Sequence, residues 1–332
     1  MKREAFIQAS TRVRIEEKGL LTKEQLHRLT EVGSVDELNR ILAETSYQQE
    51  VAKMDRPEDY EQMLDAELRE LYRFLYEVSP EPKLIDVFAA RYTFHNLKVL
   101  AKEILQETDL SAIYVPLGDL PIDALKEAHE AGTLHRVPVY GEMLSALLND
   151  FSDKKEPGRI DVLADKFYAQ RLAELAEEAE LELVDTYAKD AVDLYNLSML
   201  FRLKKMEAPV EMFQEAVLTG GRIYQPQLIS RYFDTVDAIA GSLYGQPIGD
   251  TVREGINRYE ETGSLSSFEQ AQENHFMRMA QNAKMISYGP EVLVSYLISK
   301  ETEIKNLRIL YVSKRNHMSQ EFTRERLRLT YV

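Results

Sequence analysis

Three seven-residue stretches of this 332-residue chain follow one pattern: "FHNLKVL" at 94–100, "LYNLSML" at 194–200 and "IKNLRIL" at 304–310. Each reads apolar, any residue, Asn, Leu, any residue, apolar, Leu. Asn-Leu occurs nowhere else in the chain, and its three copies lie 100 and 110 residues apart. Helical phase extends the match. Val87, Phe94, Leu97, Ala101 and Ile104 fall on one face, Tyr187, Leu194, Leu197 and Phe201 on the equivalent face, and Leu297, Ile304, Leu307 and Tyr311 on it again. A fold for this chain therefore has to place one kind of helix three times.

The surrounding sequence is helical in pattern. Gly and Pro are few and clustered, and the stretches between them are rich in Leu, Ala, Glu, Lys, Gln and Arg at helical spacing. Long helices are expected at about 57–78, 84–106, 159–205 with a break, 248–262, 267–287 and 290–313, and no segment reads as a strand. In "GSVDELNRILAE", Ser34 is a candidate N-cap, Glu37 the third residue of a capping box, and Leu38, Ile41 and Leu42 one apolar stripe. The glutamate-rich stretch 173–183 keeps Leu172, Leu175, Ala179 and Leu183 at helical spacing and reads as a solvated helix face. The expected class is all-α.

Upstream of each repeated helix lies a segment of turns and short helices, starting near Leu20, Pro116 and Thr219. The order, short helices then long ones, recurs three times and divides the chain into modules at 1–107, 108–212 and 213–332. A period near 100 residues exceeds the roughly 20 to 50 of common solenoid units, so three similar modules are expected. Asn96, Asn196 and Asn306 are weak helix formers inside helices, so their recurrence, each followed by Leu97, Leu197 or Leu307, points to a side-chain hydrogen bond that fixes packing at one point of every module.

Charge and motifs narrow the function classes. The net charge of −15 opposes binding to nucleic acid or anionic lipid, and favours protein partners. The charge is uneven: 300–332 carries eight basic residues against four acidic. This segment is either a solvated pair of helices or a surface for an acidic partner. There is no Cys, so neither disulfides nor thiolate sites are available. The longest apolar runs fall far short of the roughly 20 residues that span a bilayer, so no direct membrane insertion is expected. "LTGGRIY" lacks the Lys-Ser/Thr ending of a phosphate-binding loop, and its Gly pair reads as a helix C-cap and turn. His27, His95, His129, His135, His275 and His317 have no ligand spacing, and "GSLYG" misses the nucleophile-elbow pattern. No catalytic, cofactor or metal residues are expected.

The 9–29 stretch "ASTRVRIEEKGLLTKEQLHRL", "ILAETSY" at 41–47, the three Asn-Leu helices and above all "YLISKETEIKNLRILYVSKRN" at 296–316 followed by "RERLRLTYV" resemble the C subunit of bacterial and archaeal V/A-type ATPases, the counterpart of the d subunit in vacuolar ATPases. The likeness covers essentially the whole chain. The first two copies are looser, the second reading "DLYNLSML" with no basic residue directly after Asn-Leu. The resemblance implies an all-α, funnel-like socket of three pseudo-equivalent modules. It further implies a non-catalytic rotor subunit of the central stalk on the cytoplasmic face of the membrane. There the protein would join the proteolipid (c/K) ring to the central-shaft subunits D and F and pass torque between ATP turnover and proton or sodium transport. Two basic groups are candidate partner surfaces: Arg12, Arg14 and Lys18, and Lys300, Lys305, Arg308, Arg324, Arg326 and Arg328. The alternative is a free-standing helical scaffold of another assembly.

Overall fold

A computed structural model describes residues 2–332. Every regular element among them is helical. In chain order the α-helices are α1 (Ile7–Glu16), α2 (Lys23–Glu31), α3 (Val35–Leu42), α4 (Gln48–Ala52), α5 (Tyr60–Val78), α6 (Lys83–Gln106), α7 (Ile122–Glu130), α8 (Tyr140–Lys154) and α9 (Gly158–Ala179). They continue as α10 (Glu182–Lys205), α11 (Val210–Ala216), α12 (Gln225–Ser230), α13 (Val236–Ser242), α14 (Gly249–Thr262), α15 (Ser266–Asn282), α16 (Pro290–Arg315) and α17 (Gln320–Arg326). The expected break within 159–205 is a left-handed Glu180 (φ 51°) followed by an extended Leu181, which separates α9 from α10. The helix expected to run to 287 stops at Asn282 and tightens into a 3₁₀ turn over Ala283–Met285.

Local signals set several starts. Thr22 and Gln25 form a complete capping box on α2, each side chain bonding the other's backbone N–H. Ser34 caps α3 by accepting the Glu37 N–H at 3.2 Å. The Glu37 carboxylate instead accepts the N–H of Gly33 at 2.8 Å, so the box expected there closes one residue earlier. On α9, Leu172, Leu175 and Ala179 are buried while Glu174, Glu177 and Glu178 are exposed, which is the solvated face read from the sequence.

By packing the chain forms two compact units, 1–85 with 236–332, and 86–235. In the 86–235 unit, α9 packs on α8, α10 and α11. Its core joins Phe94, Leu97, Leu100 and Ala101 of α6 to Leu120, Leu125, Leu144, Leu147, Ile160 and Ala164. A second cluster places Val192 of α10 with Ala169 and Leu218. Burying each Leu contributes roughly 1.5–3 kcal/mol, so these shared contacts hold the helices at fixed registers.

The other unit is organised on α16, which packs against α1, α3, α5, α15 and α17. It is buried on most sides, and Tyr311 stacks on Tyr60 of α5 at 4.4 Å between ring centroids. Such a helix cannot keep its polar groups for solvent, so each needs a partner inside. Ser295 Oγ donates to the Ala280 carbonyl at 3.0 Å, Ser299 Oγ to the Ser295 carbonyl at 2.6 Å, and Lys314 Nζ to the Thr30 carbonyl at 2.7 Å.

Candidate functional site

The three repeated asparagines are buried, at 2%, 1% and 1% exposure for Asn96, Asn196 and Asn306. Each grips the backbone of an extended strap that lies further along the chain. Asn96 Oδ1 accepts the Val115 N–H at 2.9 Å, and its Nδ2 donates to the carbonyls of Val115 (2.8 Å) and Leu117 (3.1 Å). Asn196 does the same to Leu218, at 2.8 Å and 3.0 Å. Asn306 does so to Arg328, at 2.8 Å and 3.1 Å. An extended residue presents its N–H and C=O on one side, and a side-chain amide offers an acceptor and a donor side by side, so one Asn satisfies both. Asp lacks the donor and Leu lacks both.

A second polar residue sits three positions earlier on each helix, one turn away on the same face. Thr93 Oγ1 accepts the Asp119 N–H at 3.1 Å and donates to the Asp119 carboxylate at 2.7 Å. Asp193 accepts the N–H groups of Arg222 (2.9 Å) and Ile223 (3.1 Å). Glu303 accepts the N–H of Leu21. The sequence carries this signal as "TFHN", "DLYN" and "EIKN", a polar acceptor three residues before each Asn, which the apolar pattern alone passed over.

Close approach of the straps dictates glycine. Gly118 and Gly221 each lie three residues past the gripped residue. A Cβ on Gly221 would meet Asp193 Oδ1 at 2.0 Å, and one on Gly118 (φ +89°) would meet Thr93 backbone at 2.7 Å. This corrects the reading of 220–221 as a helix C-cap: α11 already ends at Ala216, with an extended Val217 after it, and Gly221 is required by its distance from Asp193. At α16 the work of one strap is divided between two segments, Arg328 on Asn306 and Leu21 on Glu303. A cavity of about 10 Å³ lies beside them, lined by residues that include Leu21, Leu26, Met277, Glu303, Asn306 and 329–332.

Beside this cavity lies a buried ionic cluster. Lys300 Nζ is 3.1 Å from Glu67, 3.0 Å from Glu303 and 2.9 Å from the Tyr47 hydroxyl, which itself donates to Glu303 at 2.7 Å. Burial pulls the Lys300 ammonium toward neutrality, but Glu303 and Glu67 outweigh it and hold its pKa above 10.5. Burial raises the Glu67 carboxyl above 4.5, with Lys300 pulling it back, and burial next to Glu303 pushes the Tyr47 phenol well up. The cluster ties Tyr47 and α5 to α16 through charge-assisted bonds.

Lys300 is therefore removed from the basic group read as a partner surface: at 6% exposure its charge is neutralised inside the fold. The others occupy varied settings. Arg14 is half-buried and donates to the carbonyls of Ala283 (3.0 Å) and Ile286 (2.6 Å). Arg328 and Lys305 share Glu273, and Arg308 pairs with Glu61 at 2.9 Å. Arg12 pairs with Glu77 at 2.8 Å in solvent, Arg324 lies 3.6 Å from Glu31, Arg326 covers the Phe322 ring at 4.0 Å, and Lys18 is exposed.

Three long helices that each carry a buried amide gripping an extended strap define an all-helical protein. The chain belongs to the ATP synthase (C/AC39) subunit family, which matches residues 9–326. It is similar to the C subunit of the V-type sodium ATPase of Enterococcus hirae, 28% identical over 96% of this chain and 97% of that one. It is also similar to the C subunit of the A-type ATP synthase of Methanocaldococcus jannaschii, 26% identical over 97% of this chain and 86% of that one. The protein is thus a subunit of a V/A-type rotary ATPase. No helix among the described residues is long and apolar enough to cross a membrane.

Proposed function

We propose that this subunit is the non-catalytic adaptor of the central stalk, a rotor part that sits peripherally on the cytoplasmic face of the membrane. It joins the proteolipid (c/K) ring to the shaft subunits D and F and passes torque between ATP hydrolysis or synthesis and ion transport. In this reading the chain is a funnel-like socket of three modules, 1–107, 108–212 and 213–332. The observation that carries it is the repeated clamp: Asn96, Asn196 and Asn306 pin a strap at the same helical position. A part that transmits torque must resist shear between its helices. Side-chain amides bonded to backbone at fixed registers provide that resistance with little chain free to move.

The exposed basic residues Arg12, Lys18, Lys305, Arg324 and Arg326, with the half-exposed Arg308, are the proposed partner contacts. Arg14 and Arg328 support them from half-buried positions. A three-module socket on a ring of another copy number cannot repeat one jigsaw contact, and charge pairs tolerate varied register better than close apolar packing. The test is selective removal of this subunit from the purified membrane complex. ATP hydrolysis should persist while ATP-driven ion uptake into vesicles is lost, with uptake restored on adding the subunit back. Uptake unaffected by its removal would overturn the reading. Isolation of the native protein free of any proteolipid complex would favour a free-standing scaffold.

A further inference from the structure

The turn between α15 and α16 carries Met285, at 91% exposure the most exposed large hydrophobic side chain among the described residues. Its backbone is nevertheless fixed. Arg14 of α1 donates to the carbonyls of Ala283 (3.0 Å), Lys284 (3.4 Å) and Ile286 (2.6 Å), and the Ile286 N–H returns to the Ala283 carbonyl at 3.0 Å. The Arg14 guanidinium is itself braced by Glu17 at 2.6 Å and by the hydroxyl of buried Tyr331 at 3.3 Å. Further along, the Gly289 N–H donates to Ser10 Oγ at 3.1 Å, and Arg3, paired with Glu291 at 2.6 Å, donates to the Tyr288 carbonyl at 3.1 Å. Bonds at Arg14, Ser10 and Arg3 thus lay 283–289 along the N-terminal helix. Ile7, Thr11 and Ile15 follow one another there at four-residue spacing, on the side that also carries Lys18. Ile7, Ile15, Met285 and Tyr288 are all exposed, and an apolar patch on a fixed frame marks an interaction site.

The rim of this patch is basic. Glu17, Glu291 and Glu77 are taken up by Arg14, Arg3 and Arg12, and Glu16 falls on the side of α1 opposite Ile7. Glu4, in the turn before α1, is offset by the exposed Lys2. Lys18 and Lys284 pair with no carboxylate among the described residues, and Lys284 Nζ lies 4.8 Å over the Tyr331 ring. Two uncompensated cations therefore flank the apolar side chains, in a chain whose net charge is −15.

We infer that Met285, with Ile7, Ile15 and Tyr288 around it, is a preformed anchor for another protein subunit of the rotary complex, one that offers an apolar pocket rimmed by carboxylates. Because Arg14 has already fixed the turn, little conformational freedom is lost when Met285 is enclosed. Lys18 and Lys284 meet the carboxylates at the rim and set the orientation of docking. A membrane surface is the poorer occupant. An extended anionic plane meets the charge of the whole chain, whereas a pocket rim lies within the physiological screening length of about 8 Å from the two lysines. The inference rests on the chain's place in a rotary ATPase and not on which subunits it joins.

Rebinding of the purified subunit to membrane complex depleted of it reads the anchor directly. Met285→Glu should weaken rebinding by at least about tenfold, Met285→Leu should stay within about threefold of wild type, and Met285→Lys should fall between them because the rim attracts it. The side chain is exposed, so none of the three should move the melting temperature of the free subunit by more than about 2 °C. Met285→Glu rebinding at wild-type strength, or Glu and Lys weakening it equally, would overturn the inference. The chain has no Cys, so a benzophenone maleimide attaches to Met285→Cys alone. Irradiated in the rebuilt complex it should join to a protein subunit, and a crosslink to lipid, or none, would sink the proposal. Failure here is separable from failure of the stalk reading: ion uptake unaffected by removing the subunit faults that reading, while rebinding and crosslinking at 285 judge this one.

Discussion

Asn306 and Arg328 exchange two hydrogen bonds, side-chain amide to backbone, in the same geometry that joins Asn196 to Leu218 in the other unit. The two pairs differ in surroundings: Leu218 is 3% exposed, while the segment around Arg328 reaches solvent.

That difference sets their energies. Asn196→Ala leaves a buried N–H and C=O without partners and should destabilise the protein by about 2–4 kcal/mol. Asn306→Ala should cost about 1 kcal/mol, because water can replace the lost bonds. Urea unfolding of both variants checks this, and equal losses would contradict it.

Glycine at 221 is a distance requirement. Gly221→Ala forces Asp193 away from two N–H groups it holds and should destabilise by about 1–3 kcal/mol. A Cβ on Gly158, in the first turn of α9, meets nothing within 4 Å, so Gly158→Ala should be neutral or stabilise by up to about 1 kcal/mol. Thermal melting of the pair distinguishes the two.

Lys300→Met leaves Glu67 and Glu303 buried without their cation and should cost about 3–5 kcal/mol at neutral pH. The sign of its pH dependence follows from Glu67. A carboxyl whose folded pKa is raised above 4.5 gives its full contribution below the unfolded value and loses it as pH rises through the folded one. The variant should therefore recover stability on going from pH 8 to pH 5. In the wild type Lys300, raised above 10.5, keeps its contribution until pH rises through that folded value. Urea midpoints at the two pH values test this, and a variant indifferent to pH would refute it.

Reversal of exposed charge bears on assembly. Lys18→Glu with Arg326→Glu should leave folding within about 0.5 kcal/mol of wild type. It should weaken association with the rest of the complex and flatten the dependence of that association on salt. Sedimentation of reconstituted complex across a potassium chloride series measures it, with unchanged assembly as the contrary result.

Much of this was legible before the fold. The long helices lie where apolar spacing put them, because a buried stripe at 3.6-residue period has few other conformations that hide it. Asn196 and its two counterparts stood out because a polar residue amid Leu, Phe and Tyr on a buried face needs a partner. What that partner was stayed hidden: Val115, Leu218 and Arg328 contribute backbone, and a backbone N–H looks alike at every position of a sequence. Gly221 was misplaced for the same reason, since its cause is Asp193, 28 residues away.

Lys300 marks the limit most clearly. In sequence it is one of eight basic residues in a net-positive segment and reads as surface. Only the docking of α5 and Tyr47 onto α16 encloses it and brings Glu67 to 3.1 Å, opposite Glu303 of its own helix at 3.0 Å. The sequence alone determined the helices, their threefold repetition and the polar positions inside them, because these depend on periodicity and residue type. The tertiary structure decided which backbone each Asn holds, which cations are neutralised internally and where 325–331 lies, because those outcomes depend on distances between segments that are remote along the chain.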